Sequence, residues 1–226
     1  MRIALISDIH GNFVSFEAVV ADIERQRVNE IIFLGDAATL GPQPHEVLQL
    51  LKQLGCPCII GNHETYLFKP SLGQAYMGGT QWFSDILTWC RARLTPKDYQ
   101  FMRTFQPMLK VKLEGDNTLI CFHGSPRRHT DNIFATTPNE EVNEMLAGRR
   151  ATVMAGGHRA NAAPAHGRSH CQRGQRWPAL RTNALHRARS ACHALGRIQH
   201  HYLRKQHHQR RASAHPGGHE SHQAGG

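Results

Sequence analysis

The sequence predicts an α/β protein in which short apolar strands alternate with amphipathic helices. Short apolar runs recur along the first 158 residues, and each is followed by a polar residue, usually beside a glycine. The segments between these runs carry apolar residues at helical spacing. With 226 residues the chain is long enough for one ordinary domain, and its first 158 residues suffice for a substantial core.

Five apolar runs are predicted to be buried strands because they are short, continuous and bounded by turn residues. They lie at residues 3–6, 30–34, 57–60, 118–122 and 151–155. The polar residues that follow them are Asp8-Ile9-His10, Gly35-Asp36, Gly61-Asn62-His63, His123-Gly124 and Gly156-Gly157-His158. In open α/β sheets ligands bind at the carboxyl ends of the strands, so we expect these side chains to converge.

Helices are predicted between the strands. Phe16, Val19, Val20 and Ile23 have the spacing of one buried helix face, and residues 47–54 form a second helix after Pro42 and Pro44. Further helices are predicted at residues 78–94, from the cap Thr95 through Phe105, and from Thr137 onward. Residues 108–113 and 118–122 are predicted to form a hairpin around the turn at 114–117.

Asp8 and His10 are candidate metal ligands on chemical grounds. Side chains in an extended segment repeat every second residue, so the carboxylate and the imidazole can point the same way. Together they form a chelate at the end of a strand. A single Asp-x-His sequence is weak evidence, but the recurrence of such ends after five strands is specific.

In order and spacing, these motifs resemble the calcineurin-like metallophosphoesterase superfamily, and within it the small bacterial branch of phosphodiesterase type. The resemblance covers residues 1 to about 158 and includes Leu40-Gly41-Pro42 and His123-Gly124-Ser125-Pro126. It implies two mixed β-sheets packed face to face with flanking helices, incomplete at the carboxyl end. It also implies a hydrolase that cleaves a small phosphate ester with hydroxide activated by two metal ions.

The resemblance also assigns roles to particular residues. One metal would be held by Asp8 and His10, both metals by Asp36, and the second by Asn62, His123 and His158. His63 would contact the phosphate and stabilise or protonate the leaving oxygen, and Asn12 and Arg127 are candidate phosphate contacts. The cofactor would be two divalent transition-metal ions, with Mn²⁺ as the first choice and Fe, Zn, Ni or Co as alternatives.

The resemblance stops after His158. The family's last motif is Gly-His-x-His, but here the chain reads Gly157-His158-Arg159-Ala160, so one ligand of the first metal is missing. We therefore expect weak or absent phosphodiesterase activity. Residues 1–158 form the predicted domain, and residues 159–226 are a tail of different composition. The tail has 12 Lys and Arg residues, one acidic residue and 11 of the 17 histidines.

Three interpretations of the tail compete. It is a disordered basic arm that binds nucleic acid, a His-rich metal store, or the product of a shifted reading frame. Back-translation of residues 170–181, read from the second nucleotide, permits Ile-Val-Asn-Val-Gly-Ser-Val-Gly-Leu-Pro-Phe, which is similar to the segment that follows the last metal motif in this family. A frameshift near residue 158 is the favoured interpretation. The alternative function is binding of nucleic acid or metal through a genuine tail.

Composition indicates a reducing cytoplasm. The six cysteines show neither zinc-ligand nor disulfide spacing, and the first apolar run is too short for a signal peptide. No segment has the length of a membrane span, so no membrane partner is expected. The sequence leaves the oligomeric state and the exact substrate open.

Overall fold

The computed structural model describes residues 1–134 and 136–158. The predictions for residues 159–226 lie outside the described residues. The strands are β1 (Ile3–Ile6), β2 (Glu30–Phe33), β3 (Met108–Lys112), β4 (Thr118–Phe122) and β5 (Val153–Gly156). The helices are α1 (Phe13–Gln26), α2 (Pro44–Leu54), α3 (Asn62–Phe68), α4 (Pro70–Tyr76), α5 (Gln81–Arg91), α6 (Pro96–Met102) and α7 (Asn139–Leu146).

The described strands form two sheets. In the first, β1 and β2 are parallel, with Ile3 opposite Glu30 and Ile6 opposite Phe33. In the second, β4 lies between β3, to which it is antiparallel, and β5, to which it is parallel. Because β1 is parallel to β2 and β4 is parallel to β5, the carboxyl ends of each pair lie side by side. The predicted polar residues follow these four strand ends.

Side chains from both sheets share one apolar layer, and the helices cover the other side of the first sheet. Ile32 and Leu34 pack with Leu119 and Cys121 between the sheets. Phe33, which points the opposite way on β2, packs in a second cluster with residues of α1 and α2. The predicted fold of two sheets packed face to face with flanking helices is thus confirmed, although among the described strands only the second sheet is mixed.

Local sequence signals explain the helix boundaries. Asn12 begins α1 by accepting a hydrogen bond from the backbone N–H of Ser15, 3.1 Å away. Pro44 starts α2, whose C-cap is the left-handed Gly55. Thr95 precedes α6 as its cap, as predicted from Thr95-Pro96. No helix among residues 1–134 and 136–158 has both the length and the apolar character needed to span a membrane.

The structure differs from the sequence prediction in three places. Residues 57–60 make only isolated bridges, Phe33 with Cys58 and Ile59 with Gln106, since Pro57 has no N–H to donate and α3 already begins at Asn62. Helices α3 and α4 were not predicted. Helix α5 is shorter than predicted because Gly78 and Gly79, which precede it, have left-handed backbone conformations. Helix α6 is also shorter than predicted and ends at Met102.

Candidate metal centre

The loops that follow β1 and β2 hold their polar residues in left-handed backbone conformations. Asp8, His10 and Asp36 have φ angles of 55°, 50° and 67°, and His158 after β5 has 54°. Such angles are uncommon for residues other than glycine, and each costs about 1–3 kcal/mol. The two loops support each other, because the N–H of Asp8 donates to Gly35 O at 2.9 Å and that of His10 to Asp36 O at 3.0 Å.

Asp36 lies at the middle of the cluster and is 1% exposed. Its Oδ2 atom is 3.3 Å from His123 Nε2, 3.9 Å from His10 Nε2 and 4.0 Å from His63 Nε2. Its Oδ1 atom accepts a hydrogen bond from the backbone N–H of His63 at 3.0 Å. One carboxylate oxygen is therefore faced by three imidazole nitrogens.

The innermost part of the cluster is formed by His123 and Asn62, both buried. His123 Nδ1 lies 2.7 Å from Leu34 O, and because a carbonyl only accepts, this nitrogen carries a proton. Its Nε2 atom is therefore directed at Asn62 Oδ1, 3.0 Å away, and at Asp36. The ring of His158 lies with its centroid 5.1 Å from that of His123.

Asp8 joins the ends of β1 and β5. Its Oδ2 atom accepts hydrogen bonds from the hydroxyl of Ser7 and from the backbone N–H of His158, the latter at 3.1 Å. Its Oδ1 atom lies 3.7 Å from His10 Nε2. Asp8 and His10 thus face each other as predicted, but not through the extended backbone on which that prediction rests, because both lie beyond β1 in left-handed conformations.

His63 lies against the cluster on the side of α3. Its ring meets that of His10 edge-on with the centroids 4.8 Å apart. Its Nδ1 atom is hydrogen-bonded to the hydroxyl of Thr39, which is fully buried. The other ring nitrogen, Nε2, is thereby left facing Asp36.

Glu64 binds the backbone around the cluster and was not singled out by sequence reasoning. It is fully buried, and its carboxylate accepts from the N–H groups of Asp36, Ala37 and Gly61 at 2.9, 2.7 and 2.8 Å. Gly61 must be glycine, since a Cβ atom there would lie 2.0 Å from Asp36 Oδ1. The sequence signal was a glutamate in the first turn after Gly61, the position of a capping residue.

Burial and the shared charges perturb these groups. Burial raises the pKa of Asp36, but the hydrogen bond and charge of His123, with His63 and His10, outweigh it and hold the pKa well below its usual range. Burial lowers the pKa of His123, but the hydrogen bond and charge of Asp36 prevail and raise it to about 9. Burial lowers the pKa of His63 to about 4, so that ring is neutral at pH 7. Burial raises the pKa of Glu64 to about 7.

Asn12 and Arg127, the two predicted phosphate contacts, are hydrogen-bonded to other residues of the protein. The amide oxygen of Asn12 caps α1. The Nε atom of Arg127 donates to Asp131 at 2.9 Å, and Arg128 pairs with the same carboxylate at 2.8 Å. Asp131 was missed by the sequence analysis, because residues 127–131 lie in a loop whose ion pairs follow no regular spacing. The structure thus brings Asp8, His10, Asp36, Asn62, His63, His123 and His158 into one cluster and places Asn12 and Arg127 in contacts with other residues.

Two groups of side chains offer donor atoms of the kinds that divalent cations bind. His10, Asp36 and His63 form one group of candidate ligands, and Asp36, His123 and His158 form another, each with its ligand atoms within 4.8 Å of one another. Atoms that share one ion through bonds of about 2.1 Å can lie at most about 4.2 Å apart. All the distances from Asp36 Oδ2 given above satisfy that limit. His10 faces Asp8 and Asp36 with its Nε2 atom, and its Nδ1 atom is buried without a hydrogen-bond partner among the described residues.

Comparison with known families agrees with this cluster. The sequence model of the calcineurin-like phosphoesterase family matches residues 1–185. The chain belongs to that family. The match continues beyond residue 158, where the resemblance of individual motifs ended.

Relatives of this calcineurin-like phosphoesterase include named enzymes. It is 26% identical to the symmetrical bis(5'-nucleosyl)-tetraphosphatase of Hamiltonella defensa over 82% of this chain and 66% of that protein. It is 28% identical to an uncharacterized protein of Methanocaldococcus jannaschii over 55% of this chain and 50% of that protein. The chain thus spans about half to two thirds of the length of these curated relatives.

Solved structures show the same fold. A metallophosphoesterase from Sphaerobacter thermophilus aligns with a TM-score of 0.53 and 27% identity over 70% of this chain and 60% of that one. A hypothetical protein from Pyrococcus horikoshii aligns with a TM-score of 0.54 and 22% identity over 65% of this chain and 64% of that one. The family match, the fold and the candidate ligand groups thus agree with one another.

Proposed function

We propose that this phosphoesterase binds two divalent cations at the ends of its strands and hydrolyses a small phosphate ester. One observation carries the proposal: Asp36 Oδ2 faces three histidines and belongs to both groups of candidate ligands. A carboxylate in that position can serve two ions at once. We assign Asp8, His10 and Asp36 to the first ion, with Asp8 taking the place of the His63 found in the first candidate group, and Asp36, Asn62, His123 and His158 to the second.

Two divalent ions held by these residues would supply an acidified water as the nucleophile and would neutralise charge on the phosphoryl oxygens. The contribution of the chain is to hold its ligands in place before substrate arrives. Glu64 does this for the backbone of Asp36, and the carbonyl of Leu34 does it for the ring of His123. Both supports are buried, so they persist as substrate enters.

We assign His63 to the leaving oxygen. Because the ring is neutral at pH 7, only one of its two nitrogens carries a proton. Nε2 can therefore donate only if Nδ1 accepts a hydrogen bond from the hydroxyl of Thr39. In that tautomer the Nε2–H can stabilise negative charge on the phosphate or its leaving oxygen. Asn12 and Arg127 remain proposed phosphate contacts, and Arg127 would have to make this contact while its Nε atom is bonded to Asp131.

We infer weak hydrolysis by this particular chain, because Arg159 and Ala160 follow His158 where the family has a second histidine.

The test is turnover of bis(p-nitrophenyl) phosphate with added Mn²⁺, alongside the metal content after desalting. We expect bound metal and slow turnover, both lost in Asp36→Asn. The matched control is Asp116→Asn, in an exposed turn, which should behave like the parent. Turnover near the typical enzymatic value of about 10 s⁻¹ would contradict the damaged first site. Absence of both metal and turnover would overturn the function.

Three parts of the proposal rest on sequence alone: Mn²⁺ as the metal, a cytoplasmic location, and a frameshift near residue 158. The gene's nucleotide sequence around that codon tests the last of these directly, since a continuing family segment in another frame would establish it. If the gene shows one uninterrupted reading frame through codon 158, the net charge of +11 on residues 159–226 favours the alternative of nucleic-acid binding by the tail. Salt-sensitive binding that survives Asp8→Asn would support that alternative.

A further inference from the structure

Two exposed aromatic rings lie outside the metal centre on the side of His63. Tyr76 at the end of α4 is 41% exposed, and Trp82 at the start of α5 is 49% exposed. Single exposed aromatic residues are common on protein surfaces and by themselves indicate nothing. These two differ because each is joined to His63 by continuous contacts between rings.

One series of contacts runs through α5. The ring of His63 meets that of Phe83 edge-on at 5.8 Å between centroids, and Phe83 meets Trp82 edge-on at 5.6 Å. The other series runs through α3 and α4. His63 lies 5.5 Å from Tyr66, and Tyr66 lies 5.7 Å from Tyr76. Each exposed ring is therefore separated from His63 by a single intervening ring.

The packing of α4 against α5 fixes the two exposed rings relative to the centre. A Cβ atom on Gly73 would lie 3.0 Å from both Phe83 Cε1 and Tyr66 Cγ, so the absence of a side chain allows α4 this close an approach. Gln74 on α4 also donates a hydrogen bond to the hydroxyl of Ser84 on α5 at 3.1 Å. The aromatic rings are thus built into a packed corner rather than carried on a loose loop.

We propose that Tyr76 and Trp82 form a stacking surface for the base of a nucleotide whose phosphate lies at His63 and the metal centre. This inference rests on the proposed function and names its substrate class as nucleotides. Aromatic faces stack on every base and so select nucleotides over other phosphate esters without selecting one base. Tyrosine and tryptophan are suited to a half-exposed position because each combines an apolar ring with a polar group.

Trp89 provides a matched control on the same helix. It is 37% exposed, but the guanidinium of Arg93 covers its ring at 3.6 Å from the centroid. One of its two faces is therefore already occupied by a cation. No ring contact among the described residues joins Trp89 to His63, so we expect Trp89→Ala to leave nucleotide binding unchanged.

The test compares two ligands that share a phosphate and differ in the base. Calorimetric titration of the full chain, with Mn²⁺ present, measures the affinities for AMP and ribose 5-phosphate. The parent and Trp89→Ala should bind AMP more tightly by about 5-fold or more, the lower range for one stacked base. Tyr76→Ala and Trp82→Ala should each reduce that preference and together abolish it, with ribose 5-phosphate binding unchanged. Thermal unfolding identifies variants that fail to fold, and Trp82→Phe, which keeps a ring, should retain most of the preference.

Three outcomes would overturn the stacking surface: equal affinities of AMP and ribose 5-phosphate in the parent, no measurable binding of either, or an equal loss in Trp89→Ala and Trp82→Ala. Failure of the proposed function is recognised separately. If the parent keeps its preference for AMP but neither binds metal nor hydrolyses bis(p-nitrophenyl) phosphate, the surface stands and the phosphoesterase function fails. If hydrolysis occurs without a base preference, the function stands and the surface fails.

Discussion

The substitution Glu64→Gln tests whether the backbone around the metal centre is held in place by one buried carboxylate. The carboxylate accepts three N–H groups through two oxygens: Oε2 takes those of Asp36 and Gly61, and Oε1 takes that of Ala37. A glutamine of the same shape has one oxygen. If that oxygen keeps the two bonds of Oε2, the amide NH₂ is left facing the N–H of Ala37, and a buried donor has no acceptor.

The magnitude follows from these contacts. A hydrogen bond to a charged acceptor contributes about 1.5–3 kcal/mol, and an unsatisfied buried donor costs about 1–3 kcal/mol. Glutamine also removes a charge whose burial is unfavourable, which is why the pKa of Glu64 rises to about 7. We therefore expect a net loss of about 2 kcal/mol, or a fall in melting temperature of about 4–8 °C. Loss of this support for Asp36 should weaken metal binding by about 10- to 100-fold.

Scanning calorimetry of the metal-free protein gives the first quantity, and titration with Mn²⁺ gives the second. The control is Glu17→Gln on the exposed face of α1, which should change neither. If Glu64→Gln melts within 1 °C of the parent and binds Mn²⁺ within a factor of about 2, the carboxylate does not hold the centre together and the reasoning fails.

The remaining predictions concern two other buried contacts. Thr39→Val removes the hydroxyl bonded to His63 Nδ1, so kcat/KM should fall by about 10-fold for alkyl esters with poor leaving groups and little for p-nitrophenyl esters, while Thr39→Ser retains activity. An equal fall for both ester types would count against this role. Asp98→Asn should destabilise the protein by about 2 kcal/mol at pH 7, because the buried carboxylate accepts from Thr95 and His45. Burial raises the pKa of Asp98, but the hydrogen bonds from Thr95 and His45 outweigh it and hold the pKa below its usual range. The stabilisation by Asp98 is therefore full above about pH 5 and is lost as the pH falls further. Urea unfolding at pH 7 and pH 3 should show the difference between parent and variant shrinking, and a constant difference would refute the assignment.

Much of the fold was predictable because its signals are local. Strands β1, β2 and β4 are short apolar runs, and helices α1 and α2 carry their buried residues at helical spacing, so periodicity alone located them. The convergence of the polar strand ends followed from a general property of parallel strands.

Other features depend on contacts between distant residues. Helices α3 and α4 have seven residues each, too short for a reliable periodic signal, and they form where Tyr66 and Gly73 pack against α5. The role of Glu64 depends on the backbone of residues 28 positions away in sequence. The left-handed backbone at Asp8 and Asp36 is imposed by the surrounding structure, since neither residue type requires it.

The central claim is that Asp36 serves two ions at once, and electron paramagnetic resonance of the Mn²⁺-loaded protein tests it most directly. Two Mn²⁺ ions joined through one carboxylate and a bridging water are magnetically coupled, which gives a spectrum distinct from that of isolated ions. We predict a coupled signal from the parent and its loss in Asp36→Asn. Only isolated Mn²⁺ in the parent, or the same coupled signal after the substitution, would contradict the account.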